Sequence, residues 1–182
     1  MSVRLLELTD LSSQHPGIPP SVAGFYAVAA AVCLQRHHTS PCAISVTLGG
    51  AESSYQAAWR EPDADELRSF GDKTDTTCFG AYSVALAAAF AHLGQRAIGR
   101  AGVGTGADWL LLPLDDDVDE WYMENPHLTR LEVSGADEAD PGRLHSRLRQ
   151  KVRQTQEGSS DVPAYAAVVV FRSASVSFAG AS

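Results

Sequence analysis

Gly104-Thr105-Gly106-Ala107-Asp108-Trp109-Leu110-Leu111-Leu112-Pro113 and Leu128-Thr129-Arg130-Leu131-Glu132-Val133-Ser134-Gly135 are the two stretches on which the reading of this chain turns. Each is a short apolar run with glycine or proline at its borders, the pattern of a strand. Each also carries one acid among apolar neighbours, Asp108 in the first and Glu132 in the second. A carboxylate in such a place is costly to bury unless it is paired or ligates a cation.

Upstream, Arg96 to Ala101 is a third strand candidate. The connecting Gly102-Val103-Gly104-Thr105-Gly106 lies before a strand, not between strand and helix, so it reads as a hairpin turn and not as a phosphate cradle. Further upstream, about Thr77 to Leu93 is apolar nearly all round, through Tyr82, Val84, Leu86 and Phe90, as expected of a helix buried against a sheet and ended by Gly94. Downstream, Pro141 opens an amphipathic helix to about Gln156, with Leu144, Leu148 and Val152 on one stripe. Ala166 to Phe171 is an unbroken apolar run, as in a strand buried on both faces. Ala174 to Phe178 is a closing strand, and Gly180-Ala181-Ser182 a frayed tail.

In the first part of the chain, Ser21 is a plausible N-cap for a helix to about His37. Ala43 to Leu48 and Tyr55 to Trp59 suggest a hairpin around Gly49-Gly50 and Glu52-Ser53. Glu61 to Asp75 is charged and turn-rich, and reads as a loop with one helical turn. The expectation is a single α/β unit: an N-terminal helix and β-hairpin extension over residues 1–75, packed on a core over 76–182.

Lys plus Arg total 14 against 22 for Asp plus Glu, a formal charge of −8. That charge repels phosphate backbones at long range, so any nucleic-acid contact needs a local basic patch or a protein partner. Only two cations are lysines, Lys73 and Lys151; the arginine, alanine and glycine bias is that of a GC-rich bacterial coding sequence. Three cysteines, an odd count, form no disulfide framework and suggest a reducing cytoplasm. Ala23 to Leu34 is too short and too interrupted to span a bilayer, so no membrane segment is expected.

The order helix, strand, strand with Asp108, strand with Glu132, helix, strand resembles the core of the PD-(D/E)XK nuclease superfamily, the restriction-endonuclease-like fold, over roughly the last hundred residues. The resemblance implies a Mg²⁺-dependent nuclease, acting on DNA in a bacterial nucleic-acid-processing or defence system, with Asp108 and Glu132 as the metal ligands. Two departures accompany it. Ser134 stands where the superfamily places its lysine, and the stretch Thr76 to Tyr82, where a further acid often lies, contains none. Some members carry the cation on the following helix, which here makes Lys151 the candidate catalytic cation. Arg147 and Gln154 share its helical face as candidate phosphate contacts. The departures and the net charge favour the alternative, a catalytically inactive subunit of the same fold, acting as a scaffold with a protein partner or a second copy.

Other signals point to structure. Cys33, His37, His38 and Cys42 give a C-x3-H-H-x3-C spacing, looser than structural zinc sites use, and are read as a helix C-terminus. Cys78, with His92 or His127 as conceivable bases, is expected to be a buried inert thiol. Asp115 to Glu120 lacks the alternation of a calcium loop and reads as a solvated loop. Trp121-Tyr122-Met123 beside it is a candidate docking point for a partner.

Overall fold

The structure is a computed structural model that describes residues 4–119 and 121–181. It is a mixed α/β fold on one eight-stranded sheet, in the order β1-β3-β2-β8-β7-β6-β5-β4. After the two-residue β1, Leu5–Leu6, and a single turn, α1, Leu11–Gln14, comes α2, Pro20–Gln35. Its N-cap is Pro19 and not the expected Ser21, because Pro20 at the first helical position needs no amide partner and arrives with helical φ. It stops at Gln35, where the His37 and His38 amides fold back onto the Leu34 carbonyl.

β2, Cys42–Leu48, and β3, Ala51–Ala57, form the expected hairpin. Gly49 and Gly50 both have positive φ, as a two-residue type I′ turn demands, and this sets Leu48 opposite Ala51. The second strand therefore starts at Ala51 and not at Tyr55. Its polar Glu52 pairs with Ser45 across the exposed face at 2.6 Å, which is why no apolar alternation announced it.

The stretch expected as a loop, 61–75, is largely helical. α3, Ala64–Ser69, is closed by a capping box in which Asp63 accepts the Glu66 amide and the Glu66 side chain returns to the Asp63 amide. α4, Lys73–Ala88, begins four residues before Thr77, because Asp72 caps the Thr74 and Asp75 amides. Ala89–Leu93 then forms one π turn, ended by Gly94 in the left-handed region. The helical run Lys73–Leu93 is long and apolar enough to cross a bilayer, but most of it is buried between α2 and the sheet.

β4, Gln95–Arg100, β5, Trp109–Pro113, and β6, Thr129–Ala136, are an antiparallel meander. α5, Pro141–Glu157, crosses over to β7, Ala164–Val170, which runs parallel to β6. β8, Ser175–Ala181, pairs antiparallel with β7 and parallel with β2, so the hairpin extension continues the same sheet. Gly180 and Ala181 are strand residues and not a frayed tail; Ser182 lies outside the described residues. α2 and α4 cover one face, over Val46, Leu131, Val133 and Val169. Leu144 and Leu148 of α5 cover Ala136, Val168 and Val170 on the other.

Candidate active site

β5 and β6 pair only as far as Trp109 opposite Leu131. Asp108 is the last residue before β5, held in register by its amide on the Leu131 carbonyl at 2.9 Å. The next amide of β6 that β5 fails to reach, that of Val133, donates to Asp108 Oδ2 at 2.9 Å. The carboxylate thus stands where the two strands part. Its other oxygen, Oδ1, accepts from the Tyr82 hydroxyl of α4 at 2.7 Å and from Arg100 of β4 at 3.3 Å. The Arg100 guanidinium lies over the rings of Tyr82 and Trp109, at 5.0 and 4.6 Å from their centroids, which fixes its direction.

Glu132 is buried on the neighbouring strand, with 5% of its surface exposed. Burial, reinforced by the nearby Asp108 charge, raises its pKa above the ordinary carboxylate value. The opposing pull comes from Lys151 of α5, whose Nζ donates to Glu132 Oε1 at 2.7 Å. The same ammonium donates to Gln154 Oε1 at 3.0 Å. Asp108, Glu132, Lys151 and Gln154 are therefore brought together. Ser134, two residues along β6, is buried and supplies no cation.

Arg147 is not part of this group. It lies one turn earlier on α5, exposed, at the rim of a cleft shared with Lys73, Thr77 and Cys78. Nor does Arg130 pair with Glu132. It is buried and donates to four backbone carbonyls: Val162 at 2.8 Å, Ser160 at 3.0 Å, Thr155 at 3.3 Å, and Thr105. The resemblance implies an acid, not a phenol, in the stretch Thr76 to Tyr82, so it marks neither Tyr82 nor Arg100. Tyr82 ends that very stretch, and burial, reinforced by the Asp108 charge, pushes its phenol above its usual range.

The zinc spacing is not assembled. Cys33 is buried, donates to the Thr76 carbonyl at 3.4 Å, and is raised to a pKa of about 11 by burial. His38 bonds the Phe171 carbonyl at 2.8 Å. His37 turns to Asp137, and with Glu138 these form the one group of three metal-ligand side chains among the described residues. Asp137 is already paired with Arg36 at 3.0 Å and Lys73 at 2.7 Å, whose hydrogen bonds outweigh its burial and hold its carboxyl below the ordinary range.

Cys78 is exposed, contrary to the expected buried thiol, while His92 meets Tyr55 and His127 meets Asp116. Of the acidic run, Asp115, Asp117 and Asp119 are exposed and Asp116 half-buried; Glu120 lies outside the described residues. Trp121 and Met123 are exposed, whereas Tyr122 packs against the small core of Ile98, Leu110, Leu112 and Leu128. The loop 102–106 joins β4 to β5 as a hairpin connection, with Gly106 pressed on the end of α5. No protein-family model matches the chain, and no curated protein or solved structure matches it either.

Proposed function

We propose that the chain is a Mg²⁺-dependent nuclease of the PD-(D/E)XK type. The observation that carries this reading is the Lys151–Glu132 contact of 2.7 Å beside Asp108. It supplies from α5 the cation that the strand position of Ser134 lacks. The succession α4, β4, β5, β6, α5, β7 supports the same reading.

Asp108 and Glu132 are the residues that would hold the ion, and the donor set fits. Mg²⁺ favours one or two carboxylates together with water and substrate phosphate oxygens, and two hard carboxylates converge here from adjacent strands. When bound, such an ion neutralises phosphate charge and acidifies a water. The residues of the chain do the rest. Tyr82, Arg100 and the Val133 amide orient Asp108. Lys151 opposes the effect of burial on Glu132 and offers its remaining proton toward the attacking water or the phosphate. Gln154 holds the lysine over Glu132.

Purified protein with Mg²⁺ or Mn²⁺ should cleave DNA or RNA, and Asp108→Asn, Glu132→Gln and Lys151→Met should each remove the activity. Cleavage that survives these substitutions, or persists in a chelator, would exclude the assignment. A second reading, an inactive subunit of the same fold serving an assembly, is favoured by one observation: both Asp108 oxygens already have partners in Tyr82, Arg100 and the Val133 amide. Under that reading Mg²⁺ leaves the thermal midpoint unchanged.

A further inference from the structure

Beyond Leu131 the β5 side of β6 is open, because the β5 ladder ends there. The end of that open edge, from Gly135 to Glu138, floors a cleft of about 560 Å³ walled by Lys73, Thr77 and Cys78 of α4 and by Arg147 of α5. Gly135 is what lets α4 press onto the strand. A Cβ there would stand 2.5 Å from the Thr77 carbonyl oxygen and 2.8 Å from the Ala81 Cβ. Three residues of strand place Gly135 about 10 Å from Glu132, so the cleft leads away from the candidate active site along β6.

In a chain of net −8, the lining of this cleft balances two cations, Lys73 and Arg147, against two carboxylates, Asp137 and Glu138, and Arg36 and Arg172 pair with those carboxylates. Asp137 is neutralised by Arg36 and Lys73, and Glu138 is bridged by Arg172 at 2.7 Å. Arg147 has no ion-pair partner among the described residues. Lys73 gives one proton to Asp137 and, with its side chain 63% exposed, has others to offer.

We infer that this cleft is a phosphodiester track: a nucleic-acid strand engaged at Asp108 and Glu132 continues along the open edge of β6, its following phosphates held by Lys73 and Arg147. The inference rests on the nuclease reading for the direction of the strand. Asp72 already caps the first amides of α4, so the grip comes from side-chain cations and not from the helix terminus. An ammonium and an exposed guanidinium recognise phosphate without reading bases, which makes the track independent of sequence.

Cys78 provides a readout inside the cleft, since Cys33 is buried and Cys42 half-buried. Maleimide labelling of Cys78 in the full chain would be timed in a chelator, with and without a 15-nucleotide single-stranded DNA and its duplex. Either oligonucleotide should slow labelling by about tenfold or more at low salt, with the protection lost as salt rises. Lys73→Gln with Arg147→Gln should abolish protection. Arg147→Glu alone, at an exposed position without an ion pair, guards against misfolding and should weaken it. Labelling unaffected by both oligonucleotides, or full protection in the variants, would overturn the inference. Protection without any cleavage in Mg²⁺ supports the track and removes the nuclease reading; cleavage with Cys78 unprotected does the reverse.

Discussion

At Glu132 two influences oppose each other. Burial and the Asp108 charge favour the neutral acid, and Lys151 at 2.7 Å favours the carboxylate. Removing the ammonium in Lys151→Met leaves only the first, so the Glu132 pKa should rise further above its ordinary value. Under the proposed nuclease function, divalent-ion binding, which needs the carboxylate, should then begin at higher pH. A carbon-detected NMR titration of the Glu132 carboxyl, paired with Mn²⁺ titrations across pH, checks both parts, and an unmoved pKa would show that Lys151 does not govern it. Tyr82 acts one shell outward. Its hydroxyl donates to Asp108 Oδ1 at 2.7 Å, and partners that orient a ligating carboxylate typically contribute about 10- to 100-fold in metal affinity. Tyr82→Phe should weaken Mn²⁺ binding by that factor in calorimetry while leaving the fold intact. Equal affinity in the variant would return Tyr82 to a packing role. Of the two pairs, Lys151 beside the carboxylates was expected from the resemblance alone, and Tyr82 with Asp108 left no mark in the sequence. Asp108 and Glu132 stood out as acids among apolar neighbours, but Lys151 reaches Glu132 through the crossover of α5, and Tyr82 reaches Asp108 across the sheet edge.

Among elements, the β4–β5 loop, the end of α5 and the segment before β7 hold together through one side chain. Arg130 bonds carbonyls of Thr105, Thr155, Ser160 and Val162 from a buried position. Arg130→Met keeps the bulk but leaves these acceptors without their donor, and each buried charged hydrogen bond lost costs about 1.5–3 kcal/mol. Chemical denaturation should show a loss of at least about 3 kcal/mol, and hydrogen exchange should rise at the 102–106 loop and the last turn of α5. A variant as stable as the parent would mean that water replaces the arginine. Gly106 belongs to the same junction: φ is +72° and a Cβ would meet the Gln154 carbonyl oxygen at 2.3 Å. Gly106→Ala should therefore displace the turn that carries Gln154 and Lys151, and lower Mn²⁺ affinity along with stability. The elements of the later chain were legible because their hydrophobic periods are long and clean. The helical content of 61–75 was hidden because α3 buries nothing, so only its Asp63 to Glu66 capping box could have announced it.

For the whole molecule, local pattern identified most elements but not their joining into one sheet. The parallel pairing of β2 with β8 spans most of the chain and leaves no mark on either segment's periodicity. Another long-range contact of this kind ties α1 to β4. His15, fully buried next to α1, accepts the Ala97 amide at Nδ1, 2.8 Å away. Burial lowers its pKa from 6.5 to about 4, against a smaller opposing effect of the Leu86 carbonyl. The unfolded chain then binds this proton at about 6.5 while the folded chain resists it until about 4. The stabilisation is complete above pH 6.5 and is lost progressively as pH falls toward 4. The full shift corresponds to about 3 kcal/mol. Glu132 acts in the opposite direction, since its raised pKa favours the folded state as pH falls, and Asp137, held low, contributes only in the more acid range. His15→Asn keeps an acceptor for the Ala97 amide and removes the titration. Its stability, measured by denaturant unfolding from pH 7 to pH 4, should start below that of the parent and fall less steeply, the two curves converging toward pH 4. Parallel curves over that interval would mean that His15 is protonated in the folded protein as readily as in the unfolded chain, and that the contact between α1 and β4 tolerates the charge.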